Sequence, residues 1–86
     1  MLNLTADEIE TLFLDLGAQG ITLVVQIEHR RLSEGKGPWT ALVSGPAAPD
    51  GGIRTAGCET FLQCLEGALR ALRETPGDWA WLDLYL

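Results

Sequence analysis

The chain has 86 residues, with twelve acidic and six basic side chains and a formal net charge of −6. Hydrophobic residues make up 47%, far too many for a disordered segment, and the length suits one domain over residues 1–86 rather than two. The acidic balance argues against a protein that holds nucleic acid by charge, since such proteins are usually basic.

The first predicted element is a helix. Ile9, Leu12, Phe13 and Leu16 recur at helical spacing. Thr5 and Glu8 form a capping box, Leu4 and Ile9 occupy the positions of a hydrophobic staple, and Gly17 fits the stop. Its outer face carries Asp7, Glu8, Glu10 and Asp15. The first three lie where the helix dipole favours negative charge.

An alternating segment follows. Ile21, Leu23, Val25 and Ile27 define one face of a strand, and Thr22, Gln26, Glu28 and Arg30 the other, interrupted by Val24. Ser33 to Pro38 reads as a hairpin connection, and Trp39 to Ser44 as a second strand. Gly45 to Gly52 holds two prolines and three glycines and is expected to be a loop, either a plain connection or a partner contact. A short third strand is expected at Ile53–Ala56.

The second helix is marked by Cys58, Phe61, Leu62, Leu65, Ala68, Leu69 and Leu72. Thr60 and Gln63 offer a second capping box, which would leave Cys58 just outside the helix. Thr75-Pro76-Gly77-Asp78 ends it. Trp79 to Leu86 is apolar and aromatic and is expected to form a fourth strand. The predicted order is α-β-β-β-α-β, an α+β two-layer sandwich with two helices on one face of an antiparallel sheet.

Little in the sequence points to catalysis. Ser33 and Ser44 lack the setting of an activated nucleophile, His29 is the only histidine, and the glycine-rich loop lacks the Lys-Ser/Thr ending of a phosphate loop. No catalytic residue, cofactor or metal site is expected. Cys58 and Cys64, six positions apart, would point to different faces of a helix, so a bridge between them is not expected. Two cysteines without a disulfide framework, and no apolar run of membrane-spanning length, suggest a cytoplasmic chain with no membrane partner.

Two features point to binding. The acids Asp7, Glu8, Glu10 and Asp15 could dock a basic partner surface, such as that of a nucleic-acid-processing complex. On a strand, Trp79, Trp81 and Tyr85 would share one face, and Ala80, Leu82, Leu84 and Leu86 the other. A tail apolar on both faces suggests an interface, with a homodimer expected. The alternative is a nucleic-acid contact through His29, Arg30, Arg31 and Lys36 at one hairpin end, although this cluster is small for a phosphate backbone.

The segment Trp39 to Arg73 resembles the HicB-type antitoxin domain, a partial double-stranded-RNA-binding fold. The resemblance rests on the aromatic strand Trp39-Thr40-Ala41, on Gly52-Ile53-Arg54-Thr55-Ala56-Gly57, and on Thr60, Leu65, Ala68, Ala71 and Leu72 of the following helix. Cys64 stands where the family has a small alanine. The RNA-binding fold places a basic cluster where this chain has Cys58-Glu59-Thr60, so the resemblance implies the scaffold without the RNA contact. The lack of catalytic chemistry, together with the acids of the first helix, the 45–52 loop and the tail aromatics, suggests a non-catalytic protein-binding module that occupies or inhibits a macromolecular partner, as a small antitoxin or a phage-type inhibitor does.

Overall fold

A computed structural model describes residues 2–86. Their order is α1 (Ala6–Ala18), β1 (Thr22–Ile27), α2 (His29–Ser33), β2 (Trp39–Ser44), β3 (Ile53–Cys58), α3 (Phe61–Arg73) and a 3₁₀ helix over Ala80–Leu84. The strands form an antiparallel sheet in the order β1-β2-β3. The long helices cover one face of it, which gives the expected two-layer α+β arrangement.

α1 starts as its sequence predicts. Thr5 accepts from the Glu8 N–H, and the Glu8 carboxylate accepts from the Thr5 N–H. The stop is later than Gly17. Gly20, at φ +89°, closes a Schellman motif in which the Ile21 N–H bonds to the Leu16 carbonyl and the Gly20 N–H to the Gly17 carbonyl. Ile21 and Leu16, both buried, supply the apolar contact such a motif favours.

β1 stops at Ile27 instead of running on to Arg30. A turn of helix, α2, occupies the start of the expected hairpin connection, so Arg30 is not a strand residue. β2 pairs with β1 in unbroken register from Thr22↔Ser44 to Ile27↔Trp39. The β2–β3 register shifts between Trp39 and Ala41. β3 carries the extra residue there, beside Gly57 at φ +74°, the positive-φ backbone that such bulges use.

One sheet face packs on the helices. Ala41 and Val43 are buried in it, with Leu23, Val25, Trp39 and Ile53 half-buried around them. The other face is mostly bare: Thr22, Val24, Gln26, Ser44 and Arg54 are exposed, and only Thr40 is buried, its hydroxyl donating to Glu28 at 2.9 Å. α3 presents Cys64, Leu65, Ala68, Leu69 and Leu72 to the core and packs on all three strands. Its N-cap Thr60 accepts from the Gln63 N–H. The Gln63 side chain reaches back to the Glu59 N–H, one residue short of a closed capping box.

The expected fourth strand is not formed. The Leu82 N–H bonds to the Trp79 carbonyl and the Tyr85 N–H to the Leu82 carbonyl, so the tail turns with a period of three. Trp79 and Leu82 are buried at that spacing. A segment apolar at almost every position satisfies a two-residue and a three-residue period alike, and packing against α3 selects the second.

Leu82 is fully buried and Leu84 is 86% exposed, although a strand would place them on the same face. Leu82→Ala should lower unfolding free energy by about 2–5 kcal/mol. Leu84→Ser should change it by less than about 0.5 kcal/mol. Urea unfolding of both variants measures this difference.

Candidate interaction surfaces

Asp7, Glu8, Glu10 and Asp15 are all exposed on α1, and no lysine or arginine lies within that helix. They are not equivalent. Hydrogen bonds from Thr5 hold the Glu8 carboxyl below the usual glutamate range. Asp15 accepts from the Tyr85 hydroxyl at 3.0 Å. Asp7 and Glu10 carry no hydrogen bond or ion pair among the described residues. Among the described residues the ion pairs lie elsewhere: Glu28 with Arg31, Glu34 with Lys36, Glu66 with Arg70, and Asp83 with Arg73.

The tail aromatics do not form an exposed stripe. Trp79 is 5% exposed and belongs to the core. Trp81 and Tyr85 are half-buried and meet edge to face at 6.2 Å between ring centres. The Asp83 carboxylate holds Arg73 of α3 at 2.7 Å, and Tyr85 reaches Asp15 of α1. The tail thus spans the two helices from within their layer. Among the described residues the buried indole N–H groups of Trp79 and Trp81 have no hydrogen-bond partner, a cost of about 1–3 kcal/mol each set against the burial of the rings.

The basic group is placed by α2. His29 and Arg30 are exposed on it. Arg31 is spent internally: its Nε donates to the Gly37 carbonyl at 2.8 Å and lies 4.0 Å from Glu28. Lys36 pairs with Glu34 at 3.7 Å. Two of the four candidate groups thus face a neighbour of their own chain.

The 45–52 loop is folded rather than loose. The Ala47 N–H bonds to the Gly20 carbonyl, and Ala48 and Gly52 close turns onto Gly45 and Pro49. This pins the loop to the end of α1. A groove of about 660 Å³ lies on the α3 side, lined by Leu2, Phe61, Leu62 and their neighbours. At its rim the Leu2 N–H donates to Glu66, and this bond holds the Glu66 carboxyl below its usual range.

The cysteine geometry differs from the expectation of two thiols on separate helix faces. Cys58 ends β3 and Cys64 lies on the buried stripe of α3, so strand and helix bring the thiols near one another. No disulfide joins them. Burial, with a further contribution from Cys58, pushes the Cys64 thiol up to about 12. Among the described residues no group of three or more histidine, cysteine or carboxylate side chains could hold a metal, and no helix is long and apolar enough to cross a membrane.

Comparison with protein-family models, with curated proteins and with solved structures finds no match.

Two outcomes follow from these placements. In the native protein a thiol reagent at mildly alkaline pH should label Cys58 and leave Cys64 unreacted until denaturant is added. Cys58→Ser should therefore abolish fast labelling, as mass spectrometry would read. Separately, burial and the Asp15 contact raise the Tyr85 phenol above its ordinary value of 10.0. Its contribution to stability is complete below that pH and is lost as pH rises through the raised value. Alkaline unfolding followed by tryptophan fluorescence should show a shallower loss in Tyr85→Phe than in the wild type.

Proposed function

We propose that this chain is a small acidic protein-binding module, non-catalytic, that works in a reducing cytoplasm by occupying a basic surface on a macromolecular partner. An antitoxin-like or phage-type inhibitor acts in this way, and a basic surface of a nucleic-acid-processing complex is the partner the charge fits. The observation that carries the reading is the outer face of α1, where Asp7 and Glu10 stand exposed and unpaired on a helix without a basic residue. A carboxylate with no internal task keeps its full charge for an external cation, and a row of them steers a basic partner from a distance. The acidic Glu59 at the start of α3 adds to the same sign.

The second reading, a nucleic-acid contact through α2, draws on His29 and Arg30, which are exposed beside the internally engaged Arg31 and Lys36. Two free groups give a weak hold on a phosphate backbone, since each contact wants its own cation.

The test is capture of partners from the native cell by the tagged wild type and by Asp7→Lys/Glu10→Lys. A bound protein should appear with the wild type, release as salt rises, and be lost from the charge-reversed variant. Identical captures by both would overturn the reading. A gel-shift titration at low salt addresses the alternative: retardation that Arg30→Ala removes would favour α2.

A further inference from the structure

The sheet has two edges, and they are built differently. β3 carries Arg54, Gly57 and the register shift, features that discourage another strand from pairing. β1, with the sequence Thr-Leu-Val-Val-Gln-Ile, has no charge, proline, glycine or bulge, and pairs with β2 without interruption.

The backbone direction follows from the bonds at its two ends. The Glu28 N–H donates to the Pro38 carbonyl, and the Gly20 carbonyl accepts from Ala47. Even-numbered residues therefore turn their backbone groups toward β2. By the alternation of an antiparallel ladder, Leu23, Val25 and Ile27 turn theirs outward. Among the described residues no loop or side chain bonds to those outward groups. Two of the large exposed hydrophobic residues also lie on this strand, Val24 at 44% and Ile27 at 53% exposure.

We propose that the β1 edge pairs antiparallel with the β1 edge of a second copy, across a two-fold axis at Val25, making a continuous six-stranded sheet. Directly opposed residues in an antiparallel pair share a face, so the apolar faces of the copies align only if core-facing residues oppose core-facing residues. Centring on Val25 achieves this and pairs all three outward-turned residues with one another, whereas an axis at Val24 would set Ile27 against Ile21, outside the strand, whose N–H is already bonded to Leu16. Leu23 faces the partner's Ile27, Val25 faces the partner's Val25, and Ile27 is covered. On the bare face Val24 opposes the partner's Gln26. No like charges meet along the strand. The occupant is a second copy because two-fold symmetry supplies the complement of every position from the strand itself. This assignment does not rest on the acidic face of α1.

The register makes the test specific. The wild type should show a monomer–dimer equilibrium by sedimentation over micromolar concentrations. Two copies of charge −6 repel, so added salt should tighten it. Val24→Lys/Gln26→Lys opposes lysine to lysine on an exposed face and should weaken the dimer roughly tenfold or more, although it lowers the net negative charge. Val24→Lys/Gln26→Glu opposes lysine to glutamate and should dimerise at least as well as the wild type. A wild type that stays monomeric overturns the proposal, as does a dimer that loosens with salt or is indifferent to the double-lysine change. If the double-lysine chain fails to fold, loss of the dimer in a folded Lys/Glu variant overturns it as well.

Discussion

The buried stripe of α3 is the contact on which the rest of the molecule depends. Cys64, Leu65, Ala68, Leu69 and Leu72 meet every strand and also the tail, whereas α1 packs chiefly on β1. Each of the leucines contributes about 2 kcal/mol by leaving water. A domain of this size has few such side chains, so no other element replaces α3 as a floor. The tail illustrates the dependence. It joins neither edge of the sheet, and it gains its burial by wrapping Trp79 and Leu82 against the helix layer.

One-sided covering sets where interactions take place. The helices and tail use one sheet face, leaving Val24, Gln26 and Arg54 in water on the other. Charge follows the same division. Two of the acids without an internal partner, Asp7 and Glu10, ride on α1 in the helix layer, while most cations are matched to a neighbour in sequence or in the fold. The acidic face and the neutral β1 edge, if they meet partners as proposed, would place different demands on them. One asks for opposite charge and the other for an extended backbone.

Much of the fold was legible in the sequence because its signals are local. The Thr5–Glu8 capping box, the apolar stripe of the last long helix and the alternation through Leu23, Val25 and Ile27 all depend on near neighbours. The misread parts depend on distant contacts. Trp79 to Leu86 fits either period until α3 is in place. α2 is the exception, a local misreading: it closes through near neighbours, Leu32 to Glu28 and Arg31 to Gly37, where the polar alternation of Gln26, Glu28 and Arg30 reads as strand. The same holds for the candidate site. The acids on α1 were visible from the helix wheel, and so was their exposure. The burial of Trp79 and the Tyr85–Asp15 contact, between residues seventy positions apart, needed the folded chain.

The late position of α3 also has a consequence for synthesis. A ribosome releases α1 and the β1–β2 hairpin long before α3, the helix that packs on β2 and its buried Ala41 and Val43, has emerged. In that interval the nascent chain exposes an uncharged strand of high β-propensity beside unburied leucines, a combination that invites mispairing. The domain closes only after residues beyond Phe61 leave the exit tunnel. Shielding of the emerging half during that wait therefore bears on whether the chain reaches its fold.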